Sequence, residues 1–146
     1  MGSIRRKKAI VGDIDFVVMA IDANWNKISQ ALNKPQLICS GPIVLKVNYP
    51  YEDKVFQADF YRAYDNNFGI QQLIRTGSAD HNMWLASYAL SKGFRLKYSE
   101  GLLEDGRVVA GETEESVFST LGLPCPTPEE REITNGKPVW LKSKHF

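Results

Sequence analysis

The sequence predicts an α+β fold. Strand-like segments with a two-residue period dominate the first half and helix-like segments the second. They do not alternate in the regular way of a parallel α/β chain. Its 146 residues are enough for one domain with its own core, and 43% hydrophobic with 24% charged residues is the make-up of a globular chain. That composition excludes disordered, collagen-like and disulfide-scaffold classes. No apolar run reaches the roughly 18 residues of a membrane span, and no apolar stretch follows the basic start. Membrane and secretory classes are therefore set aside, and a cytoplasmic setting is expected.

Each element follows from local pattern. Ile14 to Ala20 alternates, with Ile14, Phe16, Val18 and Ala20 on one face and Asp13, Asp15, Val17 and Met19 on the other, which is a strand. Asn24 is placed to cap a helix through Leu32, ended by Asn33-Lys34-Pro35. Strands Gln36–Cys39 and Ile43–Val47 flank a Ser40-Gly41-Pro42 turn, and Val55–Arg62 is a further strand carrying Gln57, Asp59 and Tyr61 on one face. Asp65–Arg75 is helical up to Thr76-Gly77-Ser78. Ser78 caps a second helix with Asp80 in its first turn, a Trp84, Leu85, Tyr88 and Ala89 stripe, and a Lys92-Gly93 stop. Short strands span Arg95–Ala110 around Glu104-Asp105-Gly106. Thr113 opens a last helix through Leu121, Pro124–Pro128 is extended, and the final ten or so residues are expected to be loosely held.

Charge is unevenly distributed although the formal net charge is only +1. Arg5, Arg6, Lys7 and Lys8 form a basic run. Glu112, Glu114, Glu115, Glu129, Glu130 and Glu132 make a later stretch acidic, and Lys137, Lys142 and Lys144 make the tail basic. Solvated charge at mobile ends and a usable basic surface both fit this pattern. Cys39 and Cys125 lack metal-ligand spacing and read as thiols of a reducing compartment rather than a disulfide.

Asp13-Ile14-Asp15 is the sharpest chemical feature. Residues i and i+2 of a strand share a face, so two carboxylates project side by side about 6–7 Å apart. Such a pair either lies on a solvent face or binds a hard cation such as magnesium. Asp59 would add a third carboxylate if its strand neighbours the first, and three can hold two metals for in-line phosphoryl transfer. Gly2-Ser3 with Arg5 and Arg6 offers backbone N–H groups, a hydroxyl and guanidinium charge to a phosphate, although Met-Gly-Ser is also a common cloning remnant. His81 reads as a helix-surface residue. Trp25, Trp84 and Trp140 read as packing residues, and Thr113-Glu114-Glu115 as helix-start chemistry.

Taken together, the strings resemble family X DNA polymerases, the group of DNA polymerase beta. They are Gly2-Ser3-Ile4-Arg5-Arg6, Gly12-Asp13-Ile14-Asp15, Asp59, Thr76-Gly77-Ser78 with His81-Asn82, Ala89 through Lys92-Gly93-Phe94, Gly111-Glu112-Thr113-Glu114-Glu115, and Leu121-Gly122-Leu123-Pro124 with Pro128-Glu129 and Arg131-Glu132. They run in the family's order, and the later ones look most like bacterial and archaeal members.

The resemblance implies a nucleotidyltransferase palm with a mixed or antiparallel sheet over residues 1–75, a small α/β thumb subdomain over 76–132, and a basic tail over 133–146. It implies that Asp13, Asp15 and Asp59 are catalytic and hold two Mg2+ ions, with Mn2+ as a substitute, and that Asp59 helps activate the primer 3′-hydroxyl. Gly2, Ser3, Arg6 and Gly12 would hold the triphosphate, Thr76 and Gly77 the sugar, and Asn82 the base edge. The implied activity is DNA-directed addition of deoxynucleotides from dNTPs to a primer–template in repair or gap filling, in a bacterial, archaeal or phage-like cell interior. A template-independent or ribonucleotide-tolerant transferase, and a non-catalytic DNA-repair subunit, are the alternatives.

Ile74-Arg75 stands where the family usually has an aromatic residue that screens the sugar, so weak discrimination against ribonucleotides is expected. Ala86 replaces a template-touching arginine, and Gln57 an arginine two residues before the third aspartate. The usual lyase or DNA-binding domain is not expected in this chain. DNA grip would then rest on Arg5 to Lys8, scattered basic residues, or a partner protein, and would be salt dependent.

Overall fold

The computed structural model describes residues 1–8, 14–32 and 37–141. Gly12 and Asp13 lie outside the described residues, as do the basic tail's last residues, 142–146, and the side chains of Ser3 and Cys39. The α+β class stands.

The first half is a mixed four-stranded sheet of order β1-β4-β3-β2. Strand β1 (Ile14–Met19) runs parallel to β4 (Lys54–Ala63), while β3 (Val44–Tyr51) is antiparallel to both β4 and β2 (Leu37–Ser40). Alternation separates the faces. Ile14, Phe16 and Val18 of β1 share a face with Phe56, Ala58 and Phe60 of β4, and Phe16 stacks on Phe60 with centroids 4.9 Å apart.

Helix α2 (Asp22–Leu32) covers part of this apolar face and buries Trp25 against Ala20 and Leu45. It begins two residues before the expected Asn24 cap because Arg62 reaches it. That guanidinium donates to the Ala20 carbonyl at 3.0 Å and to the Asp22 carboxylate at 2.6 Å, over the Trp25 ring. Beyond the end of α2 the face stays open as an apolar groove of about 460 Å³ lined by residues such as Ile14, Phe16, Tyr49 and Phe56.

Helices α1 (Gly2–Arg5) and α3 (Phe68–Thr76) lie beside β1 and lead into the second half. There α3, α4 (Ala79–Ser91) and α5 (Glu114–Thr120) pack with the meander β5 (Arg95–Lys97), β6 (Gly101–Glu104) and β7 (Arg107–Ala110). Ile70, Leu73, Leu85, Leu102, Val117 and Phe118 are fully buried in one core. Both expected caps form: Ser78 Oγ accepts from His81 N–H at 3.3 Å, and Thr113 Oγ1 accepts from Ser116 N–H at 3.0 Å.

Two expectations fail here. Residues 137–141 are not loose: β8 (Ile133–Thr134) pairs with β9 (Lys137–Pro138), and Trp140 packs on the core. Nor is His81 at the surface. It is 0% exposed, and its Nε2 accepts from Trp140 Nε1 at 2.9 Å. Each error explains the other, because the apolar bulk of Trp140 is what covers His81. Pro124–Pro128 also ends in a 3-10 turn at Pro128–Glu130, closed by reciprocal bonds between Thr127 and Glu130.

Candidate active site

The odd residues of β1 and β4 form the polar face, where register decides the geometry. Asp15 and Asp59 are paired neighbours on β1 and β4, and Lys46 is the partner of Asp59 on β3. Adjacent strands lie about 4.8 Å apart, so Asp15, Asp59 and Lys46 make a row across the sheet.

Asp59 is 4% exposed. Its carboxylate accepts from Gln57 Nε2 at 2.9 Å and from Tyr61 Oη at 3.5 Å, and Lys46 Nζ lies 3.9 Å away. Burial pushes the Tyr61 hydroxyl above its ordinary value, against Arg75 and with Asp59 and Asp15. The Arg75 guanidinium sits 3.8 Å from the Tyr61 ring centroid and 5.7 Å from that of Tyr98.

Gly2 closes on this row. Its φ is +58°, and a Cβ there would lie 3.2 Å from Asp15 Oδ2. A side chain would be strained and would crowd the carboxylate. Gly77, with φ +74°, also takes a conformation that favours glycine, and an added Cβ would lie 3.4 Å from Ala79 N and 3.9 Å from Arg6 Nε, both ordinary contacts.

The chain therefore gathers Gly2, Arg6, Asp15, Asp59, Thr76 and Gly77 from its first and second halves. Thr76 is fully buried, and its hydroxyl accepts from Arg5 Nη1 at 2.6 Å. Asn82 donates its side-chain amide to the Ile74 carbonyl at 2.8 Å, and its Oδ1 has no hydrogen-bond partner among the described residues.

In the basic run every residue meets a carboxylate, although Lys7 and Lys8 stay exposed. Arg5 forks onto Glu114 at 2.7 and 2.5 Å, and Arg6 meets Glu132 at 2.8 Å. Lys8 reaches Glu132 at 2.8 Å and Lys7 reaches Glu129 at 3.6 Å. The acidic stretch is its counterpart.

Glu114 is more than helix-start chemistry. It is 5% exposed and also pairs at 2.5 Å with Arg131, which is 1% exposed. Burial pushes its carboxyl up, but the hydrogen bonds from Arg5 and Arg131 outweigh that and hold it below its ordinary value. Sequence spacing could not find Lys46, Arg131 or Glu132 as partners, because each is brought in by register or by the packing of distant turns. Opposite charge in the two runs was the one available signal.

Among the described residues no group of three His, Cys, Asp or Glu side chains forms a metal site. The donor chemistry nevertheless suits a hard cation, since Asp15 and Asp59 are carboxylates at paired positions of adjacent strands and Asp59 already draws an ammonium. No helix of the described residues is long and apolar enough to cross a membrane.

Comparison with known proteins bears on the fold. Residues 72–132 match the family described as DNA polymerase beta thumb. The crystal structure of Leishmania infantum polymerase beta in a ternary P/T complex superposes with a TM-score of 0.70 at 21% identity, over 90% of this chain and 66% of that one. The fold is therefore that of polymerase beta. No curated protein sequence matches.

Proposed function

We propose that this chain, which has the polymerase beta fold and a thumb match over residues 72–132, is a family X nucleotidyltransferase core that extends a DNA primer from dNTPs. The observation that carries the reading is the Asp15–Asp59 register pair beneath Gly2. Residues 1–75 serve as the palm, 76–132 as the thumb and 133–146 as a tail.

Asp15 and Asp59, with Asp13 from outside the described residues, would hold two magnesium or manganese ions. When bound, these cations stabilise charge on the attacking and leaving oxygens. The chain's own groups position the reactants. Asp59 Oδ1 and Oδ2, already polarised by Gln57 and Lys46, orient the primer hydroxyl and take up its proton. Ser3, Arg6 and Gly12 receive the triphosphate, and the close approach at Gly2 leaves room for it beside Asp15. Thr76 and Gly77 serve at the sugar, and Asn82 at the base edge. Positioning and charge together account for the chemistry in this reaction class.

Arg75 supports a second reading within the same chemistry. A cation held over Tyr61 and Tyr98 stands where the family screens the sugar with an aromatic ring, and this favours ribonucleotide tolerance. DNA grip is the weak point of the assembly, since Arg5 to Lys8 are engaged by carboxylates. A partner protein would then supply the hold on the primer–template.

The test is extension of a gapped primer with magnesium or manganese, using deoxy- and ribonucleotides separately. Wild-type chain should extend it, and Asp59→Ala should lower the rate at least about a thousandfold, the scale of losing a group that holds the reacting centre. Failure of the wild-type chain on gapped, primed and single-stranded ends would refute the reading.

A further inference from the structure

The two arginines of the basic run are held in different ways. Arg5 uses two nitrogens on Glu114, whose side chain is 6% exposed, and a third contact goes to Thr76. That fork is complete and ends on a buried carboxylate, so Arg5 is structural. Arg6 makes one contact, from Nη1 to Glu132 Oε1, and the Glu132 side chain is 29% exposed. Arg6 Nε is buried, has no hydrogen-bond partner among the described residues, and faces the Gly77 backbone. Half of its donor edge is thus unused.

Lys8 Nζ meets the same Glu132 oxygen at 2.8 Å. One carboxylate oxygen therefore lies between a guanidinium and an ammonium, as an oxygen of a bound phosphate would. The arrangement is also fixed in place, because Glu132 follows Arg131, which is anchored on Glu114 and the Pro126 carbonyl.

We propose that Glu132 is an internal stand-in for the triphosphate. It occupies Arg6 and Lys8, and a nucleoside triphosphate binds by displacing it from them. This deepens the reading of Arg6 as a triphosphate ligand and rests on that reading. A phosphate can take two Arg6 nitrogens at once, the two-point contact guanidinium groups make with phosphate, whereas Glu132 takes only Nη1. Displacement is therefore favoured by geometry as well as charge, and the carboxylate raises the triphosphate concentration needed to fill the site.

The test is calorimetric titration of the full chain with inorganic tripolyphosphate without added metal, and separately with a magnesium deoxynucleoside triphosphate. Glu132→Gln should tighten tripolyphosphate binding by about three- to tenfold, the scale of releasing one partly exposed, two-cation contact. Glu129→Gln makes the same charge change on the neighbouring pair with Lys7 and should leave affinity unchanged. In an Arg6→Ala background the Glu132→Gln gain should shrink.

The Arg6 Nε–H resonance of wild-type chain should move as tripolyphosphate is added, a readout that needs no variant. Equal or weaker binding by Glu132→Gln would overturn the proposal. So would an equal gain in Glu129→Gln, or no tripolyphosphate binding by any form. Loss of primer extension with these gains intact would count against the polymerase reading alone.

Discussion

His81 shows how one side chain can carry a pH dependence into the fold. Burial, with Arg131 adding to it, lowers its pKa to about 4, so the folded chain keeps it neutral with Nε2 accepting from Trp140. The unfolded chain protonates it near its ordinary value of about 6.5. The stabilising contribution is therefore full above pH 6.5 and is lost as pH falls from there toward 4, where the unfolded state holds the extra proton. Denaturant titration should show about 2 kcal/mol of stability lost between pH 7 and pH 5, and His81→Gln should remove most of that slope. At the same scale Lys46 and Asp59 form the most consequential pair of the polar face, because the lysine sits where a metal would compete for the carboxylate.

Between elements, close approach decides more than propensity. Helix α3 meets the N-terminal cap of α5 at Gly69, whose N–H donates to the Glu112 carbonyl at 3.1 Å. A Cβ on Gly69 would fall inside contact distance of the Thr113 backbone. Backbone cannot swing aside as a side chain can, so Gly69→Ala should cost about 3 kcal/mol despite raising intrinsic helix propensity. Thermal unfolding checks this, and a stabilised variant would contradict the packing. Strands β1 and β4 make a similar point about register: a shift of one residue would send Asp15 or Asp59 to the apolar face with Phe16 and Phe60.

Across the whole molecule, opposite charges tie the first residues to the last turns. Glu114 lies between Arg5 and Arg131, and Arg131 is almost completely buried. Removing the carboxylate leaves that guanidinium charged, buried and short of its partner. Glu114→Ala should therefore destabilise by about 3–5 kcal/mol, measured by denaturant unfolding. Glu114 itself has a lowered folded pKa, so its contribution is present above its unfolded value and is lost as pH falls through the folded one.

Much of this was legible in advance. The alternation of Ile14 to Met19 required a strand with Asp15 on its polar side, and Ser78 and Thr113 marked their helices because a side-chain oxygen ahead of a free N–H is a local matter. The spaced strings around Gly2-Ser3, Asp15, Asp59 and Thr76-Gly77 marked the candidate site, and the fold brings Gly2 against Asp15 and Asp15 beside Asp59.

What sequence could not decide was who meets whom across the fold. Asp15 and Asp59 become neighbours only through parallel register, and Lys46 joins them only through antiparallel register on the other side of β4. His81 read as exposed and the end segment as loosely held until packing brought them together, through a Trp140 that sequence already marked as a packing residue. The basic run and the acidic stretch balanced in the net charge, and only the tertiary structure turned that balance into specific ion pairs. Local pattern fixes which face a side chain takes, whereas its partner depends on chain closure over distances that no short-range signal encodes.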